Sequence, residues 1–205
     1  MMRIAVIATL LALGVPCYAA QQPASPTQPA SAAQRQAQID RIRDGLNSPD
    51  PTKRVVTLEQ ALASKDAVLR RIALSAALAS SDSDLRSMAL AAAVRSAGTF
   101  VVDVSRGTSV FKVPPSFEVR IKKFDILTGQ FEASSALSWQ SNDERPGAVD
   151  GDRLSFEVDT SRIQGYSTCS GVARLETASS ILKGSLTCTY SYGSETFVMS
   201  IDVLR

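Results

Sequence analysis

Apolar positions recur at three and four residues in the first half of the chain and at two in the second. Between Asp50 and Ser96 they fall as Val56, Leu58, Ala61, Leu62, then Leu69, Ile72, Ala73, Ala76, Ala77, then Leu85, Met88, Ala89, Ala92, Ala93. That spacing predicts three amphipathic helices. From Phe100 onward alternation takes over. Phe117, Val119 and Ile121 alternate with Glu118, Arg120 and Lys122, and Phe131, Ala133, Ser135, Leu137 and Trp139 make a second run. Leu154, Phe156, Val158 and Phe197, Met199, Ile201, Val203 make two more, with weaker strands at 101–104 and 110–113 and turn signals at Thr128-Gly129 and Asp150-Gly151. About seven or eight short strands suit an antiparallel β-sandwich or small β-barrel. No strand–helix alternation argues for a parallel sheet. The expected fold class is α+β in two parts, a short helical repeat followed by that β domain.

The helical part is one sixteen-residue unit written three times. Aspartate opens each copy (Asp50, Asp66, Asp82), arginine follows four residues later (Arg54, Arg70, Arg86), and leucine four after that (Leu58, Leu74, Leu90). Alanine (Ala61, Ala77, Ala93), a branched residue (Leu62, Leu78, Val94) and serine (Ser64, Ser80, Ser96) complete the columns. A fixed period of this kind marks a repeat architecture. The aspartates suit helix N-caps, Pro51 suits a first turn, and Gly98 suits a C-terminal stop. A fainter copy precedes, with Ile42, Leu46 and Ser48 one period upstream of Leu58, Leu62 and Ser64. Gly45 and Pro49 predict that its helix is short.

Aspartate, arginine four on, and then Ala-Leu-x-x-Ala-Leu (as in 73–78) resemble the short HEAT-type α-repeats over residues 50–96. The resemblance implies protein–protein scaffolding and brings no catalytic residues. HEAT units pair two distinct helices, whereas every helix here carries one pattern. The Asp and Arg columns have two readings. Stacked helices would turn them into a ladder of caps and ion pairs. Alternatively Lys53, Arg54, Arg70, Arg71, Arg86 and Arg95 form a basic stripe for an acidic partner. Glu59, Asp66, Asp82 and Asp84 lie among them and weaken it.

Residues 1–19 predict a secretory signal, with Arg3, the apolar run Ile4–Val15, and Cys17-Tyr18-Ala19 as the cleavage pattern. The run is too short to span a membrane. Lipidation would use Cys17, but Pro16 fits that signal poorly. Residues 20–38, rich in Gln, Pro, Ala and Ser, predict a flexible linker. The helical repeat then occupies 39–97 and an all-β domain with one disulfide 98–205, in a periplasmic or secreted protein with no membrane span after cleavage. Lys and Arg number 22 against 20 Asp and Glu, a net charge of +2. That balance gives no reason to expect nucleic acid or an anionic membrane surface.

After cleavage Cys169 and Cys188 remain, an even pair in a secreted chain. Folding 168–176 against 181–189 about Thr177–Ser180 sets Cys169 across from Cys188. The same register sets Leu175 by Leu182, Ala173 by Gly184 and Gly171 by Leu186. One register thus satisfies both the apolar face and the cysteines.

The chain has no histidine. That removes Ser-His-Asp and Cys-His nucleophiles, His-ligated zinc and the usual neutral-pH base. Lys183 near Ser180 and Ser185 is a weak nucleophile candidate. Asp143, Glu144, Asp150 and Asp152 could act as paired carboxylates or hold Ca²⁺, but lack EF-hand spacing and suit a solvated loop. No catalytic residue, metal ligand or cofactor is therefore expected. Trp139, Tyr166, Tyr190 and Tyr192 could line a sugar or lipid site. Strict alternation puts Tyr190 and Tyr192 on the Cys188 face, in the core, and leaves Trp139 as the aromatic to find exposed. The expected function is non-enzymatic: protein–protein interaction with another envelope protein, with Trp139, Arg54, Arg70 and Arg86 as candidate contacts. The alternatives are a glycan- or lipid-binding β domain and a carboxylate-dependent hydrolase.

Overall fold

The computed structural model describes residues 32–105, 113–138, 144–162 and 166–205, with backbone alone for 166 and 167. Four helices come first: α1 (Ala32–Leu46), α2 (Pro51–Ala63), α3 (Ala67–Leu78) and α4 (Ser83–Ala97). Each repeat aspartate caps its helix. Asp50 accepts from the N–H groups of Thr52 and Lys53, Asp66 from Val68 and Leu69, and Asp82 from Asp84 and Leu85. These bonds satisfy donors that a helix start leaves open. The serine before each aspartate completes the turn. Ser48, Ser64 and Ser80 Oγ accept the N–H of Asp50, Asp66 and Asp82 at 3.3, 3.1 and 3.1 Å.

Ser48 plays the repeat's part, so the upstream copy is a working member of it. Its helix is not short: α1 has 15 residues. It also begins at Ala32, inside the stretch predicted as linker, where Ala, Gln and Arg all favour helix. Gly45 does not stop it. A Cβ there would lie 2.3 Å from Thr57 Oγ1, so this glycine lets α1 and α2 approach closely. Each helix packs on the next and on the next but one. The leucine column (Leu58, Leu74, Leu90) is buried throughout. Ion pairs link alternate helices, Arg35 to Asp66 at 3.3 Å and Arg54 Nε to Asp82 at 2.9 Å. The outer face of α1 is exposed and polar (Gln36, Asp40, Arg41), as the end of a stack must be.

Eight strands follow: β1 (Thr99–Val104), β2 (Ser116–Lys122), β3 (Gln130–Ser135), β4 (Arg145–Asp150), β5 (Arg153–Asp159), β6 (Tyr166–Leu175), β7 (Ile181–Tyr190) and β8 (Gly193–Asp202). They pair in chain order, all antiparallel, and β8 returns to pair with β1. Of the two architectures expected, a closed barrel is the one formed. Inward residues such as Val102, Val119, Phe156, Leu186 and Ile201 are buried, while Glu118, Arg120 and Lys183 face out and are exposed. The interior of an eight-stranded barrel is about wide enough for side chains to fill. Apolar inside and polar outside is the reverse of a membrane-spanning barrel. None of the described helices is long and apolar enough to cross a membrane.

The β6–β7 hairpin has the predicted register: Cys169 opposite Cys188, Gly171 opposite Leu186, Ala173 opposite Gly184, Leu175 opposite Leu182. The disulfide forms across it, with Cα atoms 4.0 Å apart and both residues buried. Its loop spans a sequence separation of 19. Chain entropy alone would make such a closure worth about 3 kcal/mol, but the ladder already holds the hairpin. Cys169→Ala/Cys188→Ala protein is therefore expected to keep the barrel and lose about 1–3 kcal/mol in urea unfolding. A loss beyond that range would mean the ladder does not form without the bond.

Two expectations change. Tyr192 is 96% exposed rather than in the core, because β7 ends at Tyr190 and the turn breaks the alternation. Strand β4 was not predicted at all, since Pro146 and Gly147 hide its pattern. The strand candidate at 110–113 falls mostly outside the described residues.

Helix α4 leads into β1 through Gly98 alone, in the left-handed conformation at φ 64°. It packs on β1 and β4, and one hydrophobic core runs from Leu46 to Val203 through both parts. The barrel thus covers the end of the stack that α1 does not.

Candidate functional site

The arginine column is absorbed by the fold. Arg54 Nη1 donates to Ser48 O at 2.7 Å while the rest of its guanidinium holds Asp82. Arg70 Nη1 donates to Ser64 O at 2.6 Å, and Arg86 Nη2 to Leu175 O of the barrel at 3.1 Å. These are staples of turns and joints, and of the stripe they leave Lys53, Arg71 and Arg95 exposed. Asp82 shows the consequence. Hydrogen bonds from Arg54 and from the Leu85 N–H hold its carboxyl below its ordinary value of 3.8. A depressed carboxylate stabilises the fold above its unfolded pKa and loses that contribution as pH falls through the folded one. Asp82→Asn keeps a cap but gives up the ion pair. It is expected to be less stable than the parent at about pH 6, with the gap closing below about pH 3. Urea midpoints at both pH values check it; a constant gap would mean that the pair contributes nothing.

The remaining candidates disperse. Trp139 and Asp143 lie outside the described residues, as does the Tyr166 side chain. Asp150 and Asp152 sit at the β4–β5 turn, about 20 Å along β4 from Glu144 at the strand's rise per residue. Asp152 pairs there with Arg174 at 3.9 Å. Lys183 is held by Glu176 at 2.7 Å and Ser180 by Asp202 at 2.9 Å, so each of these two has another partner. Among the described residues no three acids or cysteines converge as metal ligands.

The structure instead presents a groove on the outer wall over β3, β4, β5 and β6, with a volume of about 790 Å³. Its floor is made of short outward side chains: Pro146, Ala148, Ser155, Ser170 and Val172. Its sides carry Lys123, Asp125, Glu132, Glu144, Arg145 and Glu157. Short residues at successive outward positions on neighbouring strands leave a trough where longer ones would cover the sheet.

An ion cluster braces one side of the groove. Lys123 Nζ lies 2.8 Å from Glu132 and 3.3 Å from Glu144, and Lys122 Nζ lies 3.1 Å from Glu144. A hydrogen bond with the Glu132 carboxyl, followed by those from Lys122 and Lys123, brings Glu144 down to about 2. Both carboxylates are engaged by lysine, Glu132 by Lys123 and Glu144 by Lys122 and Lys123. The cluster is a brace.

Beside it the β2–β3 turn holds two aliphatic side chains in water. Asp125 Oδ1 accepts the Leu127 N–H at 2.8 Å, and the Val149 N–H donates to Gly129 O at 2.9 Å. Phe124 stacks on Phe131 with ring centroids 6.0 Å apart. The turn is thereby tied to the barrel, with Ile126 67% and Leu127 92% exposed. Sequence reasoning missed this lip and the groove. The only available signal was a pair of large aliphatics inside a turn.

Phe100 and Phe156 meet edge to face at 5.3 Å in the interior, surrounded by buried aliphatics. Compared with known proteins, the chain matches no family model, no curated protein and no solved structure.

Proposed function

We propose that this is a non-enzymatic secreted or periplasmic protein that binds another envelope protein through the outer-wall groove and its Ile126–Leu127 lip. The observation that carries the proposal is the lip, two large aliphatics fixed in water beside an open trough. Exposed apolar side chains at a rigid site mark binding surfaces rather than packing. The HEAT-type repeat acts as a closed spacer: α1 caps one end, the barrel covers the other, and the arginine column is committed to turns and to the joint with the barrel. The cysteine pair accords with an oxidising compartment.

Photo-crosslinking tests the assignment. A crosslinker placed at Ser170, on the groove floor, is compared with one at Thr187, outward on β7. Envelope proteins are expected to be captured from Ser170 and lost from it when Leu127→Asp is added. Equal capture from both positions, untouched by Leu127→Asp, would remove the groove as the binding surface.

A further inference from the structure

Two repeat arginines have the same place. Arg54 and Arg70 donate Nη1 to the carbonyl six residues upstream, Ser48 O at 2.7 Å and Ser64 O at 2.6 Å. By the period, Arg86 belongs on Ser80 O. The turn that should receive it is intact, since Ser80 Oγ accepts the Asp82 N–H at 3.1 Å as Ser64 Oγ accepts that of Asp66. Arg86 is elsewhere. Its Nη2 donates to Leu175 O at the end of β6, 3.1 Å away, and its Nε is buried with no hydrogen-bond partner.

We propose that Arg86 is a two-position latch between the helical stack and the barrel. It sits on Leu175 O when the two are docked and on Ser80 O when they are released. The docked position carries a standing penalty, because a buried donor without a partner is unfavourable. The alternative position is one the chain builds twice over in its earlier repeats. The pivot is Gly98, the one residue between α4 and β1, at φ 64° and with open space where a side chain would be. Ser87 Oγ comes no closer than 3.9 Å to where a Cβ on Gly151 would stand. Apolar burial favours the docked state and the arginine's unpaired nitrogen opposes it, which is the balance a two-state joint requires. The released state bares the β4–β5 and β6–β7 turns and leaves the barrel's ladder closed. The latch does not depend on what the groove binds.

Hydrogen exchange on the full chain tests it. Arg86→Ala removes the donor that opposes docking and the bond that rewards release, and is expected to slow exchange about tenfold or more in 83–98, 150–153 and 174–182, with β2 and β3 unchanged. Arg70→Ala is the matched control, expected to act on its own turn at 63–70 alone. Should Arg86→Ala act only on its own turn, or no more on 174–182 than Arg70→Ala does, the latch is refuted. Where Arg86→Ala does not fold, the parent protein decides. Its 83–98 and 174–182 segments are expected to open together, with a smaller denaturant dependence than global unfolding. Exchange there only by global unfolding overturns the proposal.

Discussion

Leu90→Ala is expected to lower the unfolding free energy by about 3–4 kcal/mol. Leu90 is fully buried in α4, the helix that packs on α2 and α3 and also touches β1 and β4. Truncation removes the transfer energy of its methyl groups and leaves a cavity. Neighbours fixed by capped turns on one side and a closed barrel on the other have little freedom to collapse into it. Because α4 belongs to the core of both halves, the loss should appear in one shared transition. Urea unfolding followed at a helical and a sheet wavelength measures this. A loss below about 1 kcal/mol would mean that the stack relaxes into the gap. Two separate transitions in the parent protein would mean that the core is not continuous.

Gly184→Ala is expected to cost about 3 kcal/mol or more, although only a methyl group is added. A Cβ at 184 would lie 1.9 Å from Val172 O and 2.6 Å from Ala173 Cα, backbone atoms of the paired strand. Backbone can yield only by parting β6 from β7, the pair that also carries the disulfide. Gly171→Ala is the informative comparison. There the Cβ would meet Phe156 Cζ at 2.3 Å, and a side chain can shift about χ1 where backbone cannot. Its cost should be smaller, about 1–3 kcal/mol. Thermal melts of the two variants give the order, and a Gly171 variant less stable than the Gly184 one would reverse the assignment of which neighbour is rigid.

Much of the fold was legible because its determinants are local. The aspartates and serines of the repeat satisfy N–H groups two or three residues away, so one turn's chemistry is complete within the unit. The β6–β7 register was legible because cysteines, glycines and leucines had to fall on one face together. β4 was not, because Pro146 and Gly147 have no strand preference of their own and take their extended form from β3 and β5. Tyr192 was misplaced because alternation cannot announce where a strand stops.

The site was less legible still. Arg54, Arg70 and Arg86 look alike in sequence, yet the first two bond their own turns and the third bonds a carbonyl of the barrel. Glu132 and Glu144 gain their brace only because β2, β3 and β4 lie side by side. The groove has no motif, being a row of short side chains on three strands that meet only after the sheet forms.

The sequence by itself determined a capped helical repeat, a β domain of alternating strands, one hairpin register with its disulfide, and the absence of histidine chemistry. Each depends on near neighbours or on composition. Tertiary structure alone decided that the sheet closes, that the barrel seals the stack, and that Arg86 crosses the joint. It also placed the groove and its aliphatic lip on the outer wall. Those features arise where distant segments meet, and a periodic pattern specifies which face is buried but not what buries it.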